Sequence, residues 1–472
     1  MRELAGIDAR PPGRPSPARI VIDLRPLQEP ERTPMTAAYL HRLLEAFAAD
    51  PLPGESFVPI LRMMRADPTR DLEAQGLPIA GRRHVLPTTR FLRSAGLTVD
   101  AFQLRGAEFG TSRGAGSPGS ADAGNATGAA GANPATGATG APGTAGAAGT
   151  VYHTAGGAVP LGSALPVVAT LLDLAPWELP SIYAASPAAR FGHRLRARIL
   201  RDATRLIVPS QATADAARRL VHVRPERIAV VPLAAGPEFV PEAGRADRVA
   251  ALRARLGLPA RYLVFAGRYD ARKDLGTLFR ALAALRGEQP DLAARRRRTA
   301  TAEASATSAA EAPREQVPWP PVVVLAGAQG ADEGDAPALA RAATRHGVRD
   351  LVILVPLLGA DDLATLEAGA QATVFPAISE GTGLAALESL GVGVPVVASR
   401  VGPLPELVGP AGIIVEPRDP ARLAAALRAA WSGHIHDQLR RVARQRSLTG
   451  RRTWADVARD TREVYAAALG RG

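Results

Sequence analysis

VFPAISEGTGLAALESLGVGVPVVASRVGPLPELVGPAGIIVEP, residues Val374 to Pro417, is the most informative stretch of this 472-residue chain. A β-branched and aromatic run ends near Phe375, and a short loop then carries Ser379 and Glu380. Gly381-Thr382-Gly383 opens a helix bearing Glu388, and apolar runs at Val394–Ser399 and Gly412–Val415 follow as strands. Strand, helix and strand in this order predict a βαβ unit within a parallel sheet. In such sheets ligands sit beyond the carboxyl ends of the strands, where backbone N–H groups at a helix start are unpaired and favour anions. Gly381 and Gly383 would admit a phosphate or a sugar hydroxyl close to the backbone. Taken as a continuous helix rise, the eight-residue separation of Glu380 and Glu388 spans roughly 12 Å, enough to hold the two ends of a sugar-nucleotide.

The same alternation extends upstream. Strands are expected at Tyr262–Ala266, Val322–Ala326, Val352–Val355 and Thr373–Phe375. An earlier series comprises Arg19–Leu24, Pro166–Leu171, Arg205–Pro209 and Ile228–Leu233. Helices are expected at about Met35–Ala49, Phe191–Ala203, Thr213–Leu220, Ala246–Leu256, Pro420–Ser432 and Trp454–Leu469. The expectation is therefore an α/β protein of two Rossmann-like parallel-sheet domains facing a central cleft. Their spans would be 1–240 and 241–450, followed by a closing helix at 451–472. Two stretches interrupt them. About 109–150 is almost entirely Gly, Ala, Ser, Thr and Pro, a composition that buries too little surface to offset its ordering entropy. About 291–319 carries Arg295–Arg298 and an Ala/Thr/Ser/Glu tract, read as a solvated linker insertion.

Composition excludes several chemistries. With no cysteine there are no disulfides and no Cys-ligated zinc or iron–sulfur centres. Aromatic residues are 4% of the chain, too few for a single-strand nucleic-acid binder. The polar, proline-rich start lacks the apolar core of a secretory signal and no segment reads as transmembrane, so a cytoplasmic location is expected. Formal charge is +12, a mild general attraction to anions. Arg194, Arg196, Arg198, Arg201 and Arg205 lie among apolar residues as in interfacial helices. They read as falling on several faces, which favours an ordinary surface helix over a peripheral membrane contact.

Of the 57 Lys and Arg residues one alone is lysine, Lys273 in GRYDARKDLG, Gly267 to Gly276. A compact, mobile ammonium there is not equivalent to a guanidinium. The Val374–Pro417 stretch resembles the donor-binding core of the retaining glycosyltransferases of family 4, which have the GT-B fold and a Glu-x7-Glu motif. Here that motif reads Glu380–Glu388. GRYDARK is similar to the family's Gly-Arg…Lys segment, LPVVATLLDLAPWELP and the run from Arg205 to Phe239 fit its N-terminal domain, and RTWADVARDTREVY resembles its closing helix.

The resemblance implies transfer of a hexose, mannose by family frequency, from a nucleotide-diphosphate sugar to a glycan or lipid-linked acceptor, without a bound metal or other cofactor. It places Arg268 and Lys273 on the donor diphosphate and Glu380 on the sugar. Gly381, Thr382, Gly383, Leu384 and Glu388 would complete the donor site, Glu388 taking the ribose hydroxyls. The family's glycine-rich loop after the first strand is missing, Arg25 to Arg32 standing in its place, and Leu172 stands where many relatives have His. Asp173 is kept and His153 is a candidate for the cleft. The alternative is a non-catalytic nucleotide-sugar-binding protein of the same fold. An oxidoreductase is discounted, because neither first strand is followed by Gly-x-Gly-x-x-Gly.

Overall fold

The computed structural model describes residues 18–85, 149–156, 163–184, 186–242, 244–267, 269–287, 318–329, 335–449 and 451–470. Two sheets organise them. The first contains β1 (Arg19–Asp23), β2 (Ser56–Arg62), β3 (Arg83–Val85), β4 (Thr150–Ala155), β5 (Val167–Thr170), β6 (Arg205–Val208) and β7 (Ile228–Val230), in the order β3-β2-β1-β4-β5-β6-β7. The second contains β8 (Leu263–Ala266), β9 (Val323–Gln329), β10 (Val352–Pro356), β11 (Thr373–Phe375), β12 (Val396–Ser399) and β13 (Gly412–Val415), in the order β10-β9-β8-β11-β12-β13. Every named pairing is parallel. Chain direction across each sheet reverses between its first and fourth strands, β1/β4 and β8/β11. Such reversal points open a crevice at the strand ends.

The inner strands are buried on both faces, so most of them read as unbroken apolar runs rather than alternating ones. Ile20, Ile22 and Leu24 face one core with Tyr39, Leu43 and Phe47, and Val21 faces the other with Tyr152 and Leu206. The second sheet is sandwiched likewise, by a core around Leu278, Phe279 and Trp431 and by another around Tyr262 and Leu366.

β2 escaped the sequence reading because Pro59 interrupts SFVPILR. Proline cannot donate a ladder hydrogen bond and normally argues against an interior strand. Pro59 nonetheless lies opposite Ile22, and apolar burial of Phe57, Val58, Ile60 and Leu61 prevails. The helix His434–Leu448 also went unread. Its buried side is the narrow stripe His436, Leu439, Ala443 and Ser447 on a strongly basic segment. The expected insertions at about 109–150 and 291–319 lie outside the described residues except at their ends. There Thr150 is the first residue of β4, Trp319 donates to the Leu285 carbonyl at 3.2 Å, and Trp431 donates to the Pro318 carbonyl at 2.8 Å.

The last helix, Trp454–Ala468, opens on a capping box between Thr453 and Asp456. It then packs on the N-terminal domain. Arg462 forks onto Glu55 at 2.9 and 2.7 Å with its guanidinium 4.8 Å over the Phe47 ring, and Tyr465 meets His153 at 2.7 Å.

Candidate active site

The loop after β11 and the turn after β8 lie side by side at the second crevice. Ile378 donates its amide to the Arg272 carbonyl at 2.7 Å, which ties the two together. The turn Ala271–Lys273 is capped by Asp270, whose side chain accepts from the Arg272 amide. This geometry aims Lys273 at Glu380, and Nζ meets Oε2 at 2.6 Å. Gly383 donates its amide to the other carboxylate oxygen at 3.4 Å. Glu380 is buried, and burial alone would raise its pKa. Lys273 first, then Arg272 and the Gly383 amide, outweigh burial and hold it below the ordinary carboxylate value.

The helix itself starts at Leu384, with Gly383 left-handed at its N-cap (φ 63°). Gly381-Thr382-Gly383 is therefore a loop in front of the helix. The helical-rise distance between Glu380 and Glu388 holds only for its second half. Glu388 is half-buried on that helix. Burial raises its pKa to about 8, with Arg42 acting against the rise and Glu238 adding to it. Behind it lies Glu367, fully buried and receiving the Ser389 hydroxyl at 3.2 Å. Burial and the neighbouring Glu388 push Glu367 well above the usual range.

The N-terminal domain closes over this cluster. Asp173, beyond β5, forms an ion pair with Arg272. Tyr183 donates to Asp270 at about 3.0 Å, the Ser379 hydroxyl reaches Glu178 at 2.5 Å, and the Thr213 hydroxyl reaches the Gly381 carbonyl at 3.2 Å. Burial first, and then Asp270, push the Tyr183 phenol up to about 12, so it remains a donor at physiological pH. The Glu406 carboxylate accepts from the amides of Gln211 and Ala212 at 3.5 and 3.4 Å. Both domains thus contribute polar groups to one cleft.

Gly381 marks the tightest point. A Cβ there would lie 2.3 Å from the Leu172 carbonyl oxygen and 3.0 Å from the Asp173 Cα, both backbone atoms with no freedom to yield. Gly381→Ala is therefore expected to part the cleft walls and displace Glu380. The overpacking should cost about 1–3 kcal/mol and lower turnover at least tenfold. Thermal unfolding and a product-release assay check this, and wild-type values in both would refute the contact.

Residues 260–432 match the family described as glycosyl transferases group 1, and residues 138–234 match the glycosyl transferase 4-like domain. The chain belongs to glycosyltransferase family 4. D-inositol 3-phosphate glycosyltransferase of Streptomyces scabiei is 32% identical over 320 residues, 66% of this chain and 63% of that protein. The protein of that name from Saccharomonospora viridis is 32% identical over 279 residues, 58% of each. The chain spans about three-fifths of the length of such curated relatives. Among solved structures, sucrose-phosphate synthase from Thermosynechococcus elongatus superposes with a TM-score of 0.60 at 18% identity, covering 96% of this chain and 100% of that one. Anabaena HepE in complex with UDP and glucose gives 0.56 at 15%, covering 95% and 100%. At these identities the likeness establishes the GT-B fold.

Against that family 4 pattern, the structure brings Lys273, Glu380, Gly381 and Gly383 together, with Asp173 joined through Arg272. The amide of Leu384 is held by the Thr382 hydroxyl at 3.3 Å. Arg268 lies outside the described residues. His153 is not on the cleft wall: it is fully buried, bonded to Thr170 at 2.9 Å and to Tyr465 at 2.7 Å, and burial lowers its pKa to about 3. Leu172, in place of the family's His, is packed into the N-terminal core. Where a glycine-rich loop is usual, Arg25 instead forks onto Asp23 at 2.8 and 2.7 Å.

Sequence reading missed Arg272, Asp270, Tyr183 and Glu178. Arg272 adjoins the lone lysine and was open to inference. Asp270 caps the same turn, whereas Tyr183 and Glu178 reach Asp270 and Ser379 only when the two sheets face each other. The arginines of the helix Pro187–Asp202 also sort differently than expected. Arg190, Arg194, Arg198 and Arg201 are exposed at spacings of four, four and three on one face, beside Phe191. Arg196 turns inward, 5.6 Å over the Trp177 ring, and Arg205 belongs to β6.

Proposed function

We propose that the protein is a retaining glycosyltransferase that moves a hexose from a nucleoside diphosphate sugar to an acceptor hydroxyl. The observation that carries this reading is the Lys273–Glu380 pair at the β8/β11 crevice, with Arg272 beside it. In the reaction the bond between the anomeric carbon and the diphosphate oxygen breaks, the acceptor oxygen bonds that carbon from the same face, and the acceptor proton passes to the leaving diphosphate. Negative charge develops on the diphosphate, where a preorganised cation lowers the barrier most. Lys273 is that cation, with Arg268 assigned the same role by family likeness. Glu380 holds the sugar hydroxyls and Glu388 the ribose hydroxyls. No nucleophile on the protein is needed, and fixed cations take the place of a divalent ion.

The relatives' name makes D-inositol 3-phosphate the first acceptor to test, ahead of a glycan or lipid-linked one. The experiment offers UDP-, GDP-, ADP- and dTDP-sugars with and without EDTA and follows nucleotide release and the anomer formed. The expected result is turnover unaffected by EDTA with retained configuration. Nucleotide-sugar binding without turnover on any acceptor would favour a non-catalytic binder, and an inverted anomer would refute the same-face step.

The exposed arginine face with Phe191 fits a peripheral contact with anionic headgroups, the charges meeting phosphates and the ring entering the interface. Flotation with anionic vesicles is expected to carry the protein, and Arg194→Glu/Arg198→Glu to abolish it. Equal flotation of wild type and variant would exclude this face.

A further inference from the structure

A charged cluster that this reading leaves unused lies at the Glu388 end of the site. The helix Pro34–Ala49 of the N-terminal domain runs along the cleft, with Met35 at its start accepting from the Thr382 hydroxyl at 3.6 Å. Two turns on, Arg42 donates to Glu238 at 2.6 Å and to Glu45 at 3.4 Å. Glu238 belongs to the crossover from the first sheet to the second. That crossover is wedged against both partners. A Cβ on Gly236 would meet Glu238 Oε2 at 2.5 Å and Arg42 Nη2 at 3.5 Å, and one on Gly391, at the end of the Glu388 helix, would meet the Phe239 carbonyl at 2.5 Å. The second oxygen of Glu238 is buried with no hydrogen-bond partner among the described residues.

Three ionisable groups therefore bear on Glu388 from three different elements: Arg42, Glu238 and, from behind, Glu367. Burial and Glu388 push the Glu367 carboxyl well above its ordinary value, and Arg42 and Glu238 act on Glu388 in opposite senses.

We propose that Arg42 is a positioning residue for the ribose end of the donor, acting through Glu388, with Glu238 as the competing anion. The inference rests on Glu388 as the ribose-binding acid. Two ribose hydroxyls donate best to an ionised carboxylate, because both its oxygens are then free to accept. Arg42 favours that form and Glu238 opposes it. Since Arg42 comes from the opposite domain, nucleotide grip becomes linked to the closed arrangement of the cleft.

The test is calorimetric titration of the full chain with UDP from pH 6.5 to 9. Wild-type affinity is expected to rise with pH through a midpoint near 8, where Glu388 ionises. Arg42→Met should move the midpoint up by about one unit and weaken UDP binding about tenfold below it, a unit of pKa being a factor of ten in ionised fraction. Arg42→Lys, which keeps the charge, should restore the wild-type profile, and Glu238→Gln should move the midpoint down. The opposite signs separate an electrostatic role from a merely structural one, and circular dichroism confirms folding. If Arg42→Met and Glu238→Gln both keep the wild-type profile while Glu388→Gln weakens UDP, the role of Arg42 is overturned and the donor site stands. If Glu388→Gln binds UDP as wild type does, or wild type binds none of UDP, GDP and ADP, the reading of Glu388 itself falls, and the inference with it.

Discussion

Lys273→Ala is expected to lower sugar transfer by about a hundredfold to a thousandfold, the scale seen when a preorganised charge-stabilising group is lost from an active site. The chain remains folded. The substitution removes the one ammonium that the structure aims into the crevice, 16% exposed and seated on a carboxylate at 2.6 Å. It also strips Glu380 of the strongest influence holding its pKa down. The sign follows from that depression. Glu380 contributes stability above its unfolded pKa and loses it as pH falls through the lower folded value. The variant loses that contribution at neutral pH, at a cost of about 1–3 kcal/mol for a buried acid left without its partner. Nucleotide release and thermal unfolding measure the two effects. Lys273→Arg should recover stability better than turnover, because a guanidinium restores the ion pair but follows the departing phosphate oxygens less freely. Wild-type turnover in Lys273→Ala would remove the basis for the donor site.

Arg462→Met destabilises the protein by about 3–5 kcal/mol, the penalty for breaking a buried ion pair and stranding its partner. Arg462 and Glu55 are 6% and 3% exposed, and the guanidinium also holds the Asp50 carbonyl at 2.7 Å and covers Phe47. Without it Glu55 stays buried with no counter-charge, and the last helix loses its anchor on the N-terminal domain. Denaturant unfolding followed by tryptophan fluorescence measures the loss, since Trp454 lies at the head of that helix, 6.1 Å from the Tyr39 ring. The double variant Arg462→Met/Glu55→Leu should recover most of it, because an apolar pair needs no compensation. A single variant as stable as wild type would show that packing alone holds the helix.

Much of the site is local in sequence. The Gly-Thr-Gly loop, Glu380 before it, Glu388 on the helix after it and the lone lysine after β8 were all legible, because they lie close along the chain at two strand-to-helix connections. β3 and β4 went unread, whereas ten of the thirteen described strands were legible as apolar runs. β2 was not, because Pro59 masks it, and neither was the helix His434–Leu448, whose inward stripe ends in alanine and serine.

His153 shows the limit most clearly. A histidine near the switch point of such a sheet reads as a candidate for the cleft, yet His153 lies inside β4 rather than at its end. Its burial depends on Tyr465, 312 residues away, arriving to cap its ring. The arginines of Pro187–Asp202 make the same point in reverse: Trp177 draws Arg196 inward and leaves the others aligned on one face.

By itself, then, the sequence determined two α/β sheets, because hydrophobic period and turn chemistry act between residues close along the chain, and its Glu-x7-Glu motif carried the resemblance to the family. Only the tertiary structure decided which side chains meet across the cleft, namely Asp173 with Arg272, Glu178 with Ser379 and Tyr183 with Asp270. It also decided which charges surround Glu388. The physical reason is that ion pairing and desolvation depend on distance in space, and nothing along the chain encodes the distance between groups on separate sheets until both have folded and closed.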